Sequence, residues 1–137
     1  MAGSRFYLIK WSPGINQGAN LGPGRFKEFD QIKTGSNIDF NNDDGTIRIK
    51  QKGLYKICVS FLVYNADGNT ITYIYKNGKN VASILEHAGG KPREVSVFKL
   101  LELDVDDVIN IHLASGNIWL HKDNSHLQVT GELLVYE

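Results

Sequence analysis

Two histidines, a carboxylate and a hydroxyl fall within six residues at His121-Lys122-Asp123-Asn124-Ser125-His126. A metal centre there needs imidazoles and carboxylate converging in an open polyhedron. A Ser/His/Asp triad needs an oriented nucleophile, and no glycines of a nucleophile elbow flank Ser125. The same letters make an ordinary solvated turn, because His, Asp, Asn and Ser are common loop residues. The turn is the reading adopted, so no catalytic residue is assigned.

Other candidates fail on spacing. The run Asn41-Asn42-Asp43-Asp44-Gly45 invites a calcium loop, but Phe40 stands where the first ligand belongs and Gln51 where the closing Glu belongs. Asp104, Asp106 and Asp107 read as a solvated hairpin rather than a cation site. Gly18, Gly22 and Gly24 are followed by no Gly-Lys-Ser/Thr, so no phosphate loop forms. Cys58 has apolar neighbours and no helix end to activate it, which predicts an inert, buried thiol. Phe6, Tyr7, Trp11, Phe26, Phe29, Tyr73 and Tyr75 are interleaved with few cations, a pattern of packing rather than base stacking. The expectation is a protein with no enzymatic activity, no cofactor and no metal.

Composition agrees. Lys plus Arg and Asp plus Glu are 15 each, so the net charge is zero and the chain has no field for gripping nucleic acid. One cysteine excludes an internal disulfide framework. No apolar run is long enough to span a membrane. The first residues, Met1-Ala2-Gly3-Ser4, resemble a cloning scar more than a signal peptide. Residues 5–137 are expected to form a single domain, since 137 residues suit one core.

The elements that must position any site are strands. Ile, Val and Thr total 27 against 6 Ala, and β-branched side chains favour the pleated sheet. Strands are predicted over 5–11, a short segment ending at Phe40, the alternation of Ile47 and Ile49 with Arg48 and Lys50, 54–64, 70–76, 81–86, 94–103, 107–114 and 127–136, about ten in all with the extended stretch 26–33 and Ile118-Trp119-Leu120. Residues 12–24 read as a loop. Asn77-Gly78 is the pair that most readily makes a type I′ hairpin. Along 54–64, Tyr55, Ile57, Val59 and Phe61 share one face, and Lys56, Cys58, Ser60 and Leu62 the other. Short strands with turns every eight to twelve residues describe an all-β sandwich or barrel.

The spacing from 29 to 61 resembles the C1q-like globular head of the complement and tumour necrosis factor superfamily. Phe29, Phe40, Gly53 and Tyr55 stand at that family's motif positions, Ile47 and Ile57 replace phenylalanines, and Gly35 replaces an Asn or Asp. Lys76-Asn77-Gly78, Leu100-Leu101-Glu102-Leu103 with Asp107-Val108, and Gly131-Glu132-Leu133-Leu134 resemble its later motifs, with Asp106 in place of a glycine. The resemblance covers roughly 5–137 and implies a core containing Phe29, Phe40, Ile47, Gly53, Tyr55, Ile57, Gly131 and Leu133.

It further implies a ten-stranded jelly roll that trimerises about a threefold axis. The domain would be secreted or displayed at the cell surface and would bind a protein receptor or surface ligand. Lys56, Cys58, Ser60, Leu62, Phe98 and Leu100 would then face neighbouring protomers, with Cys58 buried by association. Calcium bound by some members through the loop between the fifth and sixth strands is not carried over, because Lys91-Pro92-Arg93 falls there. Two alternatives stand beside this reading. One is a cytokine-like ligand of the tumour necrosis factor type. The other is a carbohydrate-binding sandwich in which Trp119 or Trp11 stacks on a glycan.

Overall fold

A computed structural model describes residues 4–11, 18–63, 69–87, 93–121 and 125–136. Within them the chain is built of strands: β1 (Arg5–Lys10), β2 (Gly18–Leu21), β3 (Gly24–Arg25), β4 (Gln31–Lys33), β5 (Ile38–Asn41), β6 (Thr46–Ile49) and β7 (Gly53–Val63). They continue as β8 (Asn69–Lys76), β9 (Lys79–His87), β10 (Arg93–Leu103), β11 (Val108–Ser115), β12 (Ile118–His121) and β13 (Leu127–Tyr136).

They form two antiparallel sheets. One runs β2-β12-β7-β13-β1-β4, with β10 on the other side of β7; the second runs β5-β6-β11-β8-β9, with β3 beside β11. The first strand pairs with the last, Arg5 opposite Glu132 and Lys10 opposite Leu127. The all-β jelly-roll sandwich expected from the sequence is the fold. Thirteen strands stand where ten were expected, because short pieces the sequence marks only as loop or extended chain are hydrogen-bonded. Thus β2 lies in the segment predicted to be a loop and pairs with β12. Of the extended stretch 26–33, only Gln31–Lys33 is a strand.

Alternation fills the space between the sheets. Strand β7 alternates buried and half-buried over all eleven residues. Tyr55, Ile57, Val59 and Phe61 turn inward and are at most 4% exposed. Ile109, Ile111 and Leu113 do the same on β11 and Ile74 on β8, so two pleated faces share one apolar core. Close approach explains one glycine of the family motif: a Cβ on Gly131 would overlap the Phe6 ring. Of the motif residues, Phe29, Ile47, Gly53, Tyr55, Ile57, Gly131 and Leu133 are buried. Phe40 is the exception, half-buried with its ring edge-on to Phe29 at 5.9 Å, because β5 lies at the margin of its sheet.

Turn chemistry sets the register. Asn77 and Gly78 take φ of 53° and 82°, the positive pair a type I′ hairpin requires. The acidic run 41–45 is a staple. Asn42 Oδ1 accepts the Phe29 N–H at 2.7 Å and its Nδ2 donates to the Phe29 carbonyl at 3.0 Å, tying the non-strand chain to the sheet. Ser4, grouped with the scar-like first residues in the sequence reading, is buried and its carbonyl accepts the Leu133 N–H at 2.8 Å. Met1–Gly3 lie outside the described residues.

Candidate interface on the seven-stranded sheet

All six residues that the sequence assigns to a protomer contact lie on one surface. On β7 the residues Lys56, Cys58, Ser60 and Leu62 are half-buried and turn away from the core. The neighbouring β10 sets Phe98 opposite Cys58 and Leu100 opposite Lys56. On the other side β13 sets Thr130 opposite Cys58 and Gln128 opposite Ser60. Phe98 is 53% exposed and Leu100 52%. Lys56 Nζ sits 4.6 Å from the centroid of the Phe98 ring, a cation–π contact that holds the aliphatic stem of the lysine along the sheet. Cys58 is a free, half-buried thiol rather than a buried one, because it stands on the outward row.

Among the described residues strand β10 pairs only with β7, which makes it an edge, and β9 is the corresponding edge of the second sheet. Between them runs a groove of about 420 Å³ lined by Leu85, Phe98 and Lys99 among others. Leu85 is 61% exposed. The surface is therefore apolar at the edge and polar toward β13.

The six-residue cluster at 121–126 is only partly described, since Lys122, Asp123 and Asn124 lie outside the described residues. Ser125 exchanges backbone hydrogen bonds with His121, at 2.7 and 3.1 Å. Ser125 and His126 line a cleft of about 230 Å³ together with Glu94, Ser60 and Gln128. The His126 ring packs against Trp11 at 5.7 Å, so one candidate sugar-stacking tryptophan has a ring partner already. Trp119 is half-buried beside Leu62. Among the described residues no group of three His, Cys, Asp or Glu could hold a metal ion. Lys91 and Pro92 lie outside the described residues, while Arg93 Nε reaches Glu86 Oε2 at 3.5 Å.

One cluster escaped the sequence reading. On the solvent face of the second sheet, Tyr75 stands edge-on to Tyr73 at 6.0 Å and to His112 at 4.8 Å. Arg25 lies opposite His112 across β3 and β11. Its Nε donates to His112 Nε2 at 3.4 Å and its Nη1 to the Asp44 carbonyl at 3.2 Å. Burial, and then the Arg25 charge, hold the His112 imidazole below its ordinary pKa. Alternation along β11 puts Asn110 and His112 on one face. Only the pairing of β3, β8 and β11 brings Arg25 and the tyrosines to it.

Comparison with known proteins gives the fold its family. No curated protein matches the chain by sequence. Its structure is similar to the globular domain of zebrafish complement 1qA, with TM-score 0.70 and 15% identity over 98% of this chain and 99% of that one. It is also similar to murine APRIL, with TM-score 0.68 and 9% identity over 95% and 98% of the two chains. The Eiger TNF of S. frugiperda gives TM-score 0.67 and 9% identity over 100% and 96%. At these identities the likeness is one of fold. The C1q domain model matches residues 16–134, nearly the whole sandwich, and on that match the chain belongs to the C1q domain family.

Proposed function

We propose that this C1q domain is a non-enzymatic recognition module that works as a homotrimer, secreted or held at the cell surface, and binds a protein or surface ligand. The carrying observation is the exposure of Phe98 and Leu100 on the same face as Cys58 and Ser60. A long edge strand bearing exposed apolar side chains is an aggregation template unless something covers it. A closed threefold ring covers it without leaving an open, fibre-forming surface. The smaller Cys58 and Ser60 would let neighbouring copies approach, and a stable contact of this kind buries at least about 1,000 Å². Family membership favours the same arrangement, and the resemblance to tumour necrosis factor ligands favours a protein receptor as partner.

Light scattering of the purified domain is expected to report three chains. Cys58→Arg places three like charges together and is expected to shift the domain toward monomer. A wild-type monomer at high micromolar concentration overturns both the oligomer and the face assigned to it. For the non-enzymatic reading, Ser125→Ala and His126→Ala are expected to leave ligand binding and thermal stability nearly unchanged. Hydrolysis of a general ester substrate by the wild type, lost in either variant, would overturn it.

A further inference from the structure

Of the chain's asparagines only Asn77 precedes a glycine, and it does so at the exposed tip of the β8–β9 hairpin. An asparagine carries an electrophile, its Cγ carbon, within reach of the next residue's backbone nitrogen. Glycine puts no side chain in the way of that approach. The space around Gly78 is open, since a Cβ built there would meet nothing within 4 Å. Type I′ geometry favours Asn-Gly in this turn. The pair that folds the hairpin best therefore also sets a reactive amide in solvent.

The fold restrains that amide. Its Nδ2 donates to Asp107 Oδ1 at 2.8 Å and its Oδ1 accepts the Val108 N–H at 2.9 Å, while the Asn77 N–H donates to the Val108 carbonyl at 2.8 Å. Backbone and side chain are thus pinned to one crossover, and the amide cannot turn without giving up both side-chain bonds. The anchor is itself fixed. The Asp107 side chain is 13% exposed, and its Oδ2 accepts the Asp104 N–H at 2.7 Å. Ring closure at Asn77 must therefore follow a local opening of this tip.

We propose that Asn77 is a site of spontaneous deamidation which the bonds to Asp107 and Val108 hold in check, and that its conversion breaks the tie between the hairpin and the β10–β11 crossover. The Gly78 nitrogen attacks Asn77 Cγ, and the new N–C bond closes a cyclic imide. The Cγ–Nδ2 bond breaks and ammonia leaves, taking the proton that the Gly78 nitrogen gives up. Water, the only co-reactant, then opens the imide at either carbonyl and leaves aspartate or isoaspartate at position 77. The aspartate product sets a carboxylate where Nδ2 donated, against Asp107 Oδ1. Two like charges so close cannot both ionise without cost. The isoaspartate product adds a methylene to the main chain, which a two-residue turn cannot take up without disturbing its register. Deamidation here acts as a timer on the domain's stability, set by how often the tip opens.

The test follows the whole domain by peptide-mapping mass spectrometry at mildly alkaline pH, both folded and unfolded in guanidinium. The peptide containing Asn77 is expected to gain the mass of an amide-to-acid exchange at least about tenfold more slowly in the folded domain than in the unfolded chain. Asp107→Ala should speed the folded rate about fivefold or more. Gly131→Ala overpacks the core against Phe6 in the other sheet, and should leave the rate within about twofold of wild type. On unaltered protein, exchange of the Val108 amide reads the same opening, and its protection should fall as Asn77 is converted. The purified converted form should melt below the fresh domain. Asn77→Asp should reproduce part of that loss, which shrinks as pH drops below about 4 and the carboxylates take up protons. The inference fails if folded and unfolded rates agree, or if Gly131→Ala accelerates conversion as much as Asp107→Ala. It fails equally if conversion leaves Val108 exchange unchanged, or if the converted form melts with the fresh one.

Discussion

Asn77 Nδ2 donates to Asp107 Oδ1 at 2.8 Å, joining the tip of the β8–β9 hairpin to the turn that carries the chain from β10 in one sheet to β11 in the other. The asparagine also closes a ring with the next residue. Its Oδ1 accepts the Val108 N–H at 2.9 Å, and its own N–H donates to the Val108 carbonyl at 2.8 Å. Asp107 Oδ2 in turn accepts the Asp104 N–H at 2.7 Å and lies 3.6 Å from Lys76 Nζ. The acidic trio read as a solvated hairpin is instead a crossover, since β10 and β11 belong to different sheets, and within it Asp107 is mostly buried and organises the turn.

Asp107 therefore links stability to pH. Burial pushes its pKa up, but the Asp104 N–H, Asn77 and Lys76 together outweigh that, and it settles below the ordinary 3.8. A depressed carboxylate contributes stability above its unfolded value and loses it as pH falls through the folded one. Urea unfolding is expected to show Asp107→Asn less stable than wild type by about 1–3 kcal/mol at neutral pH. The gap should close as pH falls from about 4 toward 2. A pH-independent gap would show that the charge is not what matters.

Gly131 has no room for a methyl group, since Phe6 is fully buried against it. Gly131→Ala is expected to cost about 1–3 kcal/mol, the usual penalty of overpacking a core. Phe6→Leu in the same chain should recover part of it. Thermal melts of the single and double variants decide this, and an additive double loss would place the strain elsewhere.

His112 is held below its ordinary 6.5, first by burial and then by Arg25. The folded form thus resists protonation, and the unfolded chain takes up the proton first as pH falls. The stability this gives to the folded state is present above about 6.5 and declines as pH drops from there toward the folded value. Side-chain NMR should find His112 titrating below the ordinary 6.5, with Arg25→Gln moving it upward. An unchanged midpoint in that variant would leave burial as the whole cause.

Calcium titration calorimetry should show no tight site involving Glu86. Its carboxylate lies 3.5 Å from the Arg93 guanidinium, which repels a cation. A micromolar site abolished by Glu86→Ala would refute this.

The strands were legible in the sequence wherever the period of two was long. Tyr55, Ile57, Val59 and Phe61 declared the inward face of β7, and Asn77-Gly78 declared its hairpin, because both signals are local. What escaped was set by partners distant in the chain. Gly18–Leu21 carries a loop's composition and becomes β2 only because β12 offers it an edge. Phe40 fits the motif spacing yet remains half-exposed, because burial depends on where β5 ends up in the sheet. The shared outward row of Lys56, Cys58, Ser60 and Leu62 was readable from alternation. The Arg25–His112–Tyr75 cluster was not, since three strands separated by up to 87 residues build it.

The pairing of β1 with β13 has a kinetic consequence. The last strand lies between β7 and the first, so the middle of the sheet stays open until residues 127–136 have been synthesised. Until then β7 exposes one unpaired edge to its surroundings. Contacts between strands at opposite ends of a chain raise contact order, which places folding in the range of about milliseconds to seconds. The domain therefore cannot close before residues 127–136 are available, and any association of its copies has to wait for that closure, because the surface they would share includes β13.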